Sequence, residues 1–382
     1  MADYRSKYFT RTEGEFPEET VILGTEYVKV EDLRYGTNPH QAAAFYRPKA
    51  GKGLPFADME ILKTGKSGLS ETNLSDIHHG ISIVKYFDRA ACAVMKHMNP
   101  SGAAVAGTGE ALKDAYIHAR DADARAAFGS TVAFNAPVDI LTAEEIMQTV
   151  VEVVAAPGFE DGALEVLEDF ERFKKNREIR AIRLPNIGSL PKFVGDHAAP
   201  TIKVLGDGSL IVSEPLLTKV RSKADLLPAV TEHPKHGRFE IERTPTDREY
   251  DDLLFSWYVN LNVRSNGVVI ARDGVTISVG TGEQDRVGAV EQAIDKARRK
   301  FVAHDGAGFQ IPPQQGDGDL QGAVMSSDGF FPMRDSVDMA AAAGITAIVQ
   351  PGGSIRDWEV IQAANEHGIA MVFTDERIFS HH

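Results

Sequence analysis

The sequence predicts an α/β protein built from two halves with mixed sheets, and three observations support that class. Short apolar runs of strand length alternate with segments whose apolar residues recur at helical spacing, which favours βαβ units and parallel strand pairs. Asp273 and Gly274 lie between two apolar runs and form a hairpin signal, which adds antiparallel pairs. A length of 382 residues with 43% hydrophobic residues fits two or three domains of about 150 residues each.

We expect residues 1–30 to form a polar N-terminal extension and residues 31–190 to form the first half. Apolar spacing, caps and apolar runs predict its elements in order: a helix carrying Ile77, Ile81 and Val84, a strand at 91–95, an Asn-Pro-Ser-Gly turn at 99–102, a helix from about 109, a strand at 128–134, a helix opened by a capping box at 142–145, a strand at 150–154, a helix at 164–170 and a strand at 179–184.

Residues 191–240 are rich in turn signals and are expected to connect the halves, with a hairpin around 206–209. Residues 241–382 form the second half. Its predicted elements are a helix opened by the capping box Thr246 to Glu249, strands at 267–271 and 275–279, a helix through 290–297, a Gly-, Pro- and Gln-rich loop at 305–320, a helix at 337–343, a strand at 346–349, a loop at 351–354, a further helix and a strand at 370–374.

Composition and charge exclude several classes of protein. The chain has 41 Lys and Arg against 55 Asp and Glu, a formal net charge of −14, which disfavours nucleic-acid partners and still allows a local basic pocket for a phosphorylated small molecule. Cys92 is the only cysteine, so neither a disulfide framework nor a cysteine-rich zinc site is expected. Neither a signal-peptide core nor a run of about 18 apolar residues is present, so we expect a cytoplasmic protein without membrane association.

The apolar strand at 91–95 ends directly at Lys96 and His97. Because ligands of open α/β sheets bind beyond the carboxyl ends of the strands, we expect this pair to face a pocket and to be its reactive groups. The alternative is a solvated basic rim at the end of a strand.

Two further regions have a functional and a structural interpretation. The loop at 33–41 brings Arg34, Tyr35 and His40 close together, which is typical either of a binding loop or of a solvated turn. Glu152 lies among four valines, where an acid needs a partner, so it either contacts a ligand or forms a structural ion pair.

Nine stretches in order over residues 33–382 resemble the transformylase portion of the bifunctional purine-biosynthesis enzyme that acts on 5-aminoimidazole-4-carboxamide ribonucleotide (AICAR). They are LRYGTNPHQ, MKHMNPSGAAV, AFGSTVAF, EVVAAPGF, VRSNGVV, GTGEQDR, SSDGFFPMRDSVD, PGGS and ERIFSHH. Each stretch alone is a weak signal, and their common order makes the resemblance specific. The sequence departs from the family at Met333, where an aromatic residue is usual, at Gly352, where serine is frequent, and at Ser380, which is inserted.

The resemblance implies a formyltransferase that moves a formyl group from the co-substrate 10-formyltetrahydrofolate to the amine of AICAR, without a catalytic metal, in de novo synthesis of inosinate. It also implies that each half has a three-layer, cytidine-deaminase-like fold. Zinc deaminases need a Pro-Cys-x-x-Cys motif, which a chain with one cysteine cannot supply. The similarity would therefore concern the fold and not the zinc chemistry.

Two expectations about partners follow from the resemblance. Members of the family build their sites from both subunits, so we expect a homodimer with active sites at the interface. Nothing in the sequence matches the family's cyclohydrolase domain, so we expect a separate inosinate cyclohydrolase to close the ring.

Three residues match the family's catalytic positions. The amine of AICAR is a poor nucleophile, so a base must take its proton as it attacks. His97 matches this base, and an imidazole titrates near ~6.5, close to the operating pH. Lys96 matches the group that stabilises the oxyanion and helps the folate nitrogen leave, which is typically worth ~3 kcal/mol. Asn266 matches a further polar partner of the substrate, with a simple turn cap as its alternative.

The resemblance also assigns two sets of binding residues. Arginine forks suit a dianionic phosphate, and an aromatic ring suits stacking on the imidazole of AICAR. The residues assigned to AICAR are Arg34, Tyr35, Gly129, Glu152, Arg286, Phe330 and Arg377. Those assigned to folate are Val287, Asp335, Gly352 and Gly353, with Pro332 lining the pocket.

Two other functions are weighed against this one. The first is a nucleotide-binding regulatory protein that kept the AICAR pocket and lost turnover. The second is a formyltransferase with another donor, for example formate activated by ATP. The segment at 60–67 has Glu60 where a phosphate loop needs its first glycine, which disfavours an ATP-dependent donor.

Overall fold

The structure is a computed structural model that describes residues 10–65, 67–299, 320–381 and, for the backbone alone, 302–304 and 308–310. Most of the predicted loop at 305–320 lies outside these residues. The helices are α1 Glu71–Val84, α2 Leu112–Ala122, α3 Ile140–Gln148, α4 Ala163–Glu168, α5 Asp247–Asn260, α6 Arg286–Arg298, α7 Asp335–Ala343 and α8 Asp357–Glu366.

The strands are β1 Glu19–Ile22, β2 Thr25–Asp32, β3 Ala44–Pro48, β4 Glu60–Lys63, β5 Ala91–Lys96, β6 Asn99–Val105, β7 Ser130–Phe134, β8 Val151–Ala156, β9 Arg180–Arg183, β10 Thr201–Val204, β11 Leu210–Ser213, β12 Leu227–Pro228, β13 Val230–His233, β14 Gly237–Glu240, β15 Val268–Arg272, β16 Val275–Gly280, β17 Val302–His304, β18 Gly308–Gln310, β19 Val324–Ser327, β20 Ala347–Gln350 and β21 Ala370–Phe373. Parallel and antiparallel pairs both occur, so the predicted α/β class with mixed sheets is confirmed.

Contacts divide the chain into two compact units, Met1–Leu190 with Arg299–Gln314, and Pro191–Arg298 with Gln315–His382. In the first unit the strand order is β6-β5-β7-β8-β9-β4. β5 is antiparallel to β6 and β7, β7 to β9 run parallel, and β4 is antiparallel to β9. A separate antiparallel sheet contains β1, β2 and β3.

The second unit repeats this arrangement strand for strand. Its order is β12-β21-β20-β19-β15-β16, with the β15–β16 hairpin antiparallel to β19, three parallel strands from β19 to β21, and β12 antiparallel to β21. The helices fall at matching places along the chain, since α1 and α5 precede the hairpins and α2 and α6 follow them. Both units therefore share one topology.

The first helix shows why these segments fold as they do. Ser70 caps α1 in a reciprocal capping box with Asn73, which satisfies two amide groups that a helix start leaves open. Ile77, Ile81 and Val84 recur at helical spacing and are fully buried. Burial of this apolar stripe against β5 and β7 fixes the helix on the sheet.

The hairpin turn between β5 and β6 lies at His97 and Met98, whose φ angles are 54° and 64°. Residues 99–102, predicted as the turn, are instead the start of β6. Pro100 pairs with Met95 at an irregularity in the register. A proline is tolerated there because a bulge interrupts the ladder and no amide donor is needed. The predicted turn is therefore wrong by two residues.

The start of α3 also differs from the prediction. Asp139 is the cap, and its carboxylate accepts a hydrogen bond from the amide of Thr142 at 2.7 Å. The helix thus begins before the predicted capping box at 142–145, because an aspartate three residues earlier already supplies the acceptor. In α5, by contrast, the predicted capping box of Thr246 and Glu249 is confirmed.

The expected N-terminal extension and the expected connecting region both contain strands. β1 and β2 lie largely within the expected extension at 1–30, and they pair across a turn at Leu23 and Gly24. Their residues are mostly exposed or half-buried, which explains the polar composition. Residues 191–240, expected as a connecting region, fall within the second unit, and the hairpin predicted around 206–209 is present as β10–β11.

Within the described part of the chain, none of the helices combines the length and the apolar composition that crossing a membrane requires.

Candidate active site

Lys96 lies at the end of β5, where its ammonium group donates a 2.6 Å hydrogen bond to the carbonyl of Gly129. Gly129 takes a φ of 68°. A Cβ atom there would lie 3.3 Å from Lys96 Nζ and 3.7 Å from Glu152 Oε1. The glycine therefore leaves a space that the ammonium and the carboxylate both border.

The direction of β5 decides which edge of the sheet carries Lys96. β5 is antiparallel to β7, and Met95 pairs with Thr131 near the start of β7. β8 runs parallel to β7, so Glu152 also lies at the start of its strand. Lys96 lies at the carboxyl end of its own strand as expected, and because β5 is antiparallel to β7, this end lies where the parallel strands begin and not where they end.

His97 follows Lys96 as the first residue of the hairpin turn and is exposed. Its carbonyl accepts a 3.2 Å hydrogen bond from the side-chain amide of Asn99. The turn thus presents an imidazole to solvent next to a tethered ammonium group. This arrangement can deliver a proton acceptor and a positive charge to one bound molecule.

Asp76 on α1 also contacts the turn that contains His97 and Met98. It is 5% exposed, and its carboxylate accepts a 2.6 Å hydrogen bond from the amide of Met98. Burial raises the pKa of Asp76 to about 6, and the charge of Glu152 also raises it, whereas the Met98 hydrogen bond, the charge of Lys96 and a hydrogen bond with Thr131 lower it. Sequence reasoning missed this residue.

Arg34 and Tyr35 lie close together in the first unit. The guanidinium of Arg34 donates a 3.0 Å hydrogen bond to the Tyr35 hydroxyl and lies 4.5 Å from the centre of its ring. Arg180, a second buried arginine, donates from Nε to the carbonyl of Gly68 at 2.7 Å. Burial lowers the pKa of Arg180 to about 10; the charge of Arg34 also lowers it, and the charge of Glu152 raises it. Two cationic groups near one another favour an anionic ligand.

Glu152 is half-buried, and within 4.0 Å no cation forms an ion pair with its carboxylate among the described residues. Its contact with a ligand stays a prediction.

In the second unit, Asn266 and Arg286 form one hydrogen-bonded group. Arg286 donates to the side-chain oxygen of Asn266 at 2.7 Å and to the carbonyl of Gly267 at 3.1 Å. The side-chain amide of Asn266 donates to the carbonyl of Glu283 at 2.8 Å. These contacts fix the orientation of the Asn266 amide.

Asp328 holds that group in place. Its carboxylate forms a 2.7 Å ion pair with Arg286 and accepts a 2.8 Å hydrogen bond from the amide of Gly267. Asp328 is fully buried and Arg286 is 6% exposed. Burial lowers the pKa of Arg286, and the Asp328 charge opposes that shift. Asp328 was missed because one acid after an apolar strand carries no signal of its partner.

Arg377 is exposed and lies over the ring of Phe379, 4.4 Å from its centre. The guanidinium of Arg286 lies 5.8 Å from the centre of the same ring. Both arginines assigned to AICAR in this unit are therefore gathered around one aromatic side chain.

Four of the five residues assigned to folate lie in two segments that Gln350 connects, 332–335 and 352–353, and Val287 lies on α6. The buried Gln350 side chain accepts hydrogen bonds from the amides of Phe331 and Gly352 at 3.3 and 3.2 Å. Gly352 and Gly353 take φ angles of 71° and 94°, a region that glycine enters without strain. Of the other residues assigned to folate, Pro332 and Asp335 are exposed and Val287 is half-buried, and Phe330, which is assigned to AICAR, is also exposed.

The signal that could have revealed Asp76 is its position on α1. Asn73, Asp76, Ile77 and Gly80 share the face that helical spacing assigns to the core, and all four are buried. A carboxylate on a buried helix face needs a polar partner, which marks it as a candidate for a site.

The described residues contain no group of three or more His, Cys, Asp or Glu side chains that could hold a metal ion. The expected metal-free reaction stays a prediction.

Known proteins resemble the chain over nearly its full length. The bifunctional purine biosynthesis protein PurH of Persephonella marina is 41% identical over 367 residues, which are 96% of this chain and 62% of that protein. The PurH proteins of Oceanobacillus iheyensis and Magnetococcus marinus are 39% and 40% identical, over 98% and 96% of this chain and 63% and 62% of their own lengths. The chain therefore spans less than two thirds of these curated relatives. The model of the AICARFT/IMPCHase bienzyme family matches residues 3–296, so the chain belongs to that family.

Proposed function

We propose that this chain transfers a formyl group from 10-formyltetrahydrofolate to the amine of AICAR, giving formyl-AICAR and tetrahydrofolate in purine biosynthesis. The observation that carries the proposal is the turn at the end of β5. There an exposed His97 follows Lys96, whose ammonium is tethered to the Gly129 carbonyl. Membership of the family supplies the substrates for which this pair is suited.

In the proposed reaction His97 accepts a proton from the AICAR amine as the nitrogen attacks the formyl carbon. The carbonyl oxygen becomes an oxyanion, which the Lys96 ammonium stabilises. The tetrahedral intermediate then collapses as the bond from carbon to the folate nitrogen breaks and that nitrogen gains a proton. The proton removed from the amine is thus balanced by the one delivered to the leaving group.

The tether on Lys96 supports this role. A flexible lysine must lose side-chain freedom to act at one position, and the hydrogen bond to Gly129 fixes the ammonium before any ligand binds. A donor that is already oriented stabilises developing charge without reorganisation. Asn266, oriented by Arg286 and the Glu283 carbonyl, is proposed as a further polar partner of the substrate.

AICAR carries a phosphate, a ribose and an imidazole carboxamide, and we propose that the residues assigned to it by resemblance bind these groups. The buried guanidinium of Arg34 next to the Tyr35 hydroxyl, and the two guanidinium groups around Phe379, supply the positive charge that a phosphate needs. Phe330 is 42% exposed, which leaves its ring available for stacking. The proposed AICAR ligands are Arg34, Tyr35, Gly129, Glu152, Arg286, Phe330 and Arg377.

The folate side is proposed to use the loops that Gln350 connects. Gly352 and Gly353 keep side chains away from a flat ring system and leave their backbone accessible. Asp335 is exposed at the start of α7, where its carboxylate can accept hydrogen bonds from a pterin. The proposed folate ligands are Val287, Pro332, Asp335, Gly352 and Gly353.

The proposal extends to fold and assembly. The repeated strand order of the two units supports two cytidine-deaminase-like, three-layer halves. A homodimer with active sites at the subunit interface, in the cytoplasm, completes the proposal. The cyclohydrolase step that closes the ring lies outside the proposed activity.

An assay of purified protein with AICAR and 10-formyltetrahydrofolate tests the function. We expect release of tetrahydrofolate together with formyl-AICAR, identified by its mass. His97→Ala should lower kcat about 10²-fold or more because it removes the general base, while AICAR still binds in calorimetry.

The same assay separates the alternatives. AICAR binding without turnover in the wild type would indicate a regulatory protein and contradict the proposal. Turnover that requires formate and ATP in place of the folate would indicate another donor. His118→Ala is a suitable control, since His118 is another partly exposed histidine of the first unit and lies on α2; its kcat should match the wild type.

A further inference from the structure

The two units share a contact between a helix and a hairpin turn. In the first unit, Asp76 of α1 accepts a 2.6 Å hydrogen bond from the amide of Met98. In the second unit, Asp252 of α5 accepts a 2.8 Å hydrogen bond from the amide of Gly274. Each aspartate is the sixth residue of its helix, and each amide belongs to the second residue of its turn. The contact is therefore equivalent in the two units.

The two turns differ in what holds them. Asp273 and Gly274 take φ angles of 55° and 73°, and glycine reaches this region without strain. His97 and Met98 take 54° and 64° with no glycine in the turn, so the side chains oppose the conformation. The turn of the first unit therefore depends more strongly on the hydrogen bond that the Met98 amide donates to Asp76, and we call the aspartate in each such bond the anchor of its turn.

The surroundings of the two carboxylates also differ. Asp252 has a cation of its own helix, Arg248, at 3.3 Å. Asp76 faces Lys96 from β5, Thr131 from β7 and Glu152 from β8. The anchor in the first unit therefore lies among the groups proposed to act on AICAR, and that in the second unit does not.

We propose that Asp76 is a positioning residue, which holds the His97–Met98 turn and thereby fixes the directions of the Lys96 and His97 side chains. This role rests on the proposed formyl transfer. Asp76 does not touch the reacting atoms. It holds the Met98 amide, and the β5–β6 turn thereby fixes the positions of Lys96 and His97.

Three variants test this role. Asp76→Ala removes the acceptor, and we expect kcat to fall about tenfold or more because the pair is misplaced, with the KM for AICAR changed less than about threefold. Asp76→Asn keeps an oxygen that can accept from Met98 and should retain at least about a third of the wild-type kcat. Asp252→Ala removes the equivalent bond from a turn without catalytic candidates and should keep the wild-type kcat.

Two results in this set would overturn the role. One is an Asp76→Ala enzyme whose kcat falls no more than that of Asp252→Ala, which would make the contact purely structural. The other is an Asp76→Asn enzyme as impaired as Asp76→Ala, which would mean that the charge of Asp76, and not its hydrogen bond, is required.

Amide hydrogen exchange supplies a readout that needs no activity. Asp76→Ala should speed exchange at Met98 about tenfold or more and leave Gly274 unchanged, whereas Asp252→Ala should do the reverse. An unchanged Met98 amide in Asp76→Ala refutes the anchor even if the protein transfers formyl groups. If the wild-type protein does not transfer formyl groups and the two variants still show this exchange pattern, the proposed function is refuted and the role of Asp76 as an anchor is supported. Where Asp76→Ala does not fold, Asp76→Leu, which removes the acceptor and keeps a similar side-chain volume, takes its place in both measurements.

Discussion

The two units have the same strand order and place their candidate residues at opposite edges of it. In the first unit, Lys96, Gly129 and Glu152 lie where the parallel strands β7 and β8 begin. In the second unit, Asp328 follows β19 and the loop at 351–353 follows β20, where the parallel strands end. One topology therefore offers two edges for chemistry.

Both units have a hairpin whose turn lies at the edge where the parallel strands begin, and they differ because only the first unit has candidate residues on that turn. The carboxyl-edge rule for open α/β sheets describes loops that follow parallel strands, and the second unit obeys it. In the first unit β5 runs antiparallel to β7, so the end of β5 brings a turn to the opposite edge. In a mixed sheet the direction of each strand, and not its end alone, decides which edge a side chain reaches.

Arg286 and Lys96, the cations at the two edges, have different partners. The resulting difference in stability between their variants is the largest effect that we predict. Arg286 is paired with the fully buried Asp328, so Arg286→Met should lower the free energy of unfolding by about 3–5 kcal/mol because it leaves a buried charge unpaired. Among the described residues, the hydrogen-bond acceptor of the Lys96 ammonium is a backbone carbonyl, so Lys96→Met should cost about 1 kcal/mol. Urea unfolding of both variants measures the contrast.

A double variant provides the control for this measurement. Adding Asp328→Asn to Arg286→Met removes the uncompensated charge and should recover part of the lost stability. Equal losses in Arg286→Met and Lys96→Met would show that the two edges do not differ in this respect.

The sequence alone predicts turns and helix starts correctly where neighbouring residues determine them. Asp273 and Gly274 predict their turn because glycine favours the required φ, and Thr246 with Glu249 predicts the start of α5. The turn at His97 and Met98 has no such signal, since its anchor Asp76 lies 22 residues from Met98. Local pattern placed that turn at the proline and glycine that follow.

Much of the candidate site was found by resemblance and could not have been found by periodicity. Lys96 and His97 stand out as polar residues after an apolar strand, whereas Arg180 and Asp328 become recognisable only through partners far along the chain. The edge strands β4 and β12 were missed because they are short and carry few apolar residues.

The buried aspartates predict a pH dependence that should be stronger in the first unit. The pKa of Asp76 is raised from 3.8 to about 6, chiefly by burial. Between these values the folded state binds more protons than the unfolded state, so stability falls as the pH rises through this window. Ionisation of Asp76 in the folded state therefore lowers the stability by about 3 kcal/mol, a loss that is absent below about pH 4 and complete above about pH 6.

Asp76→Asn cannot ionise, so its stability relative to the wild type should increase as the pH rises from about 4 to about 7. The pKa of Asp252 is raised in the same direction by burial and lowered by the charge of Arg248, so Asp252→Asn should show the same trend with a smaller amplitude. Urea unfolding at several pH values provides the test. A relative stability of Asp76→Asn that does not change with pH would contradict the assigned shift.

The smallest effect concerns two glycines at the two edges. Gly129 and Gly353 take φ angles of 68° and 94°, so alanine at either position should cost about 1–2 kcal/mol of stability. At Gly129 the added Cβ would lie 3.3 Å from Lys96 Nζ, whereas at Gly353 no atom of the described part of the chain lies within 4 Å. Gly129→Ala should therefore also lower kcat about tenfold by displacing the ammonium, whereas Gly353→Ala should leave kcat unchanged and affect only the KM for the folate. Steady-state kinetics of the two variants at equal concentrations of folded protein measures this difference in kcat. An equal loss of kcat in both variants would contradict the inference that a Cβ at Gly129 displaces the Lys96 ammonium.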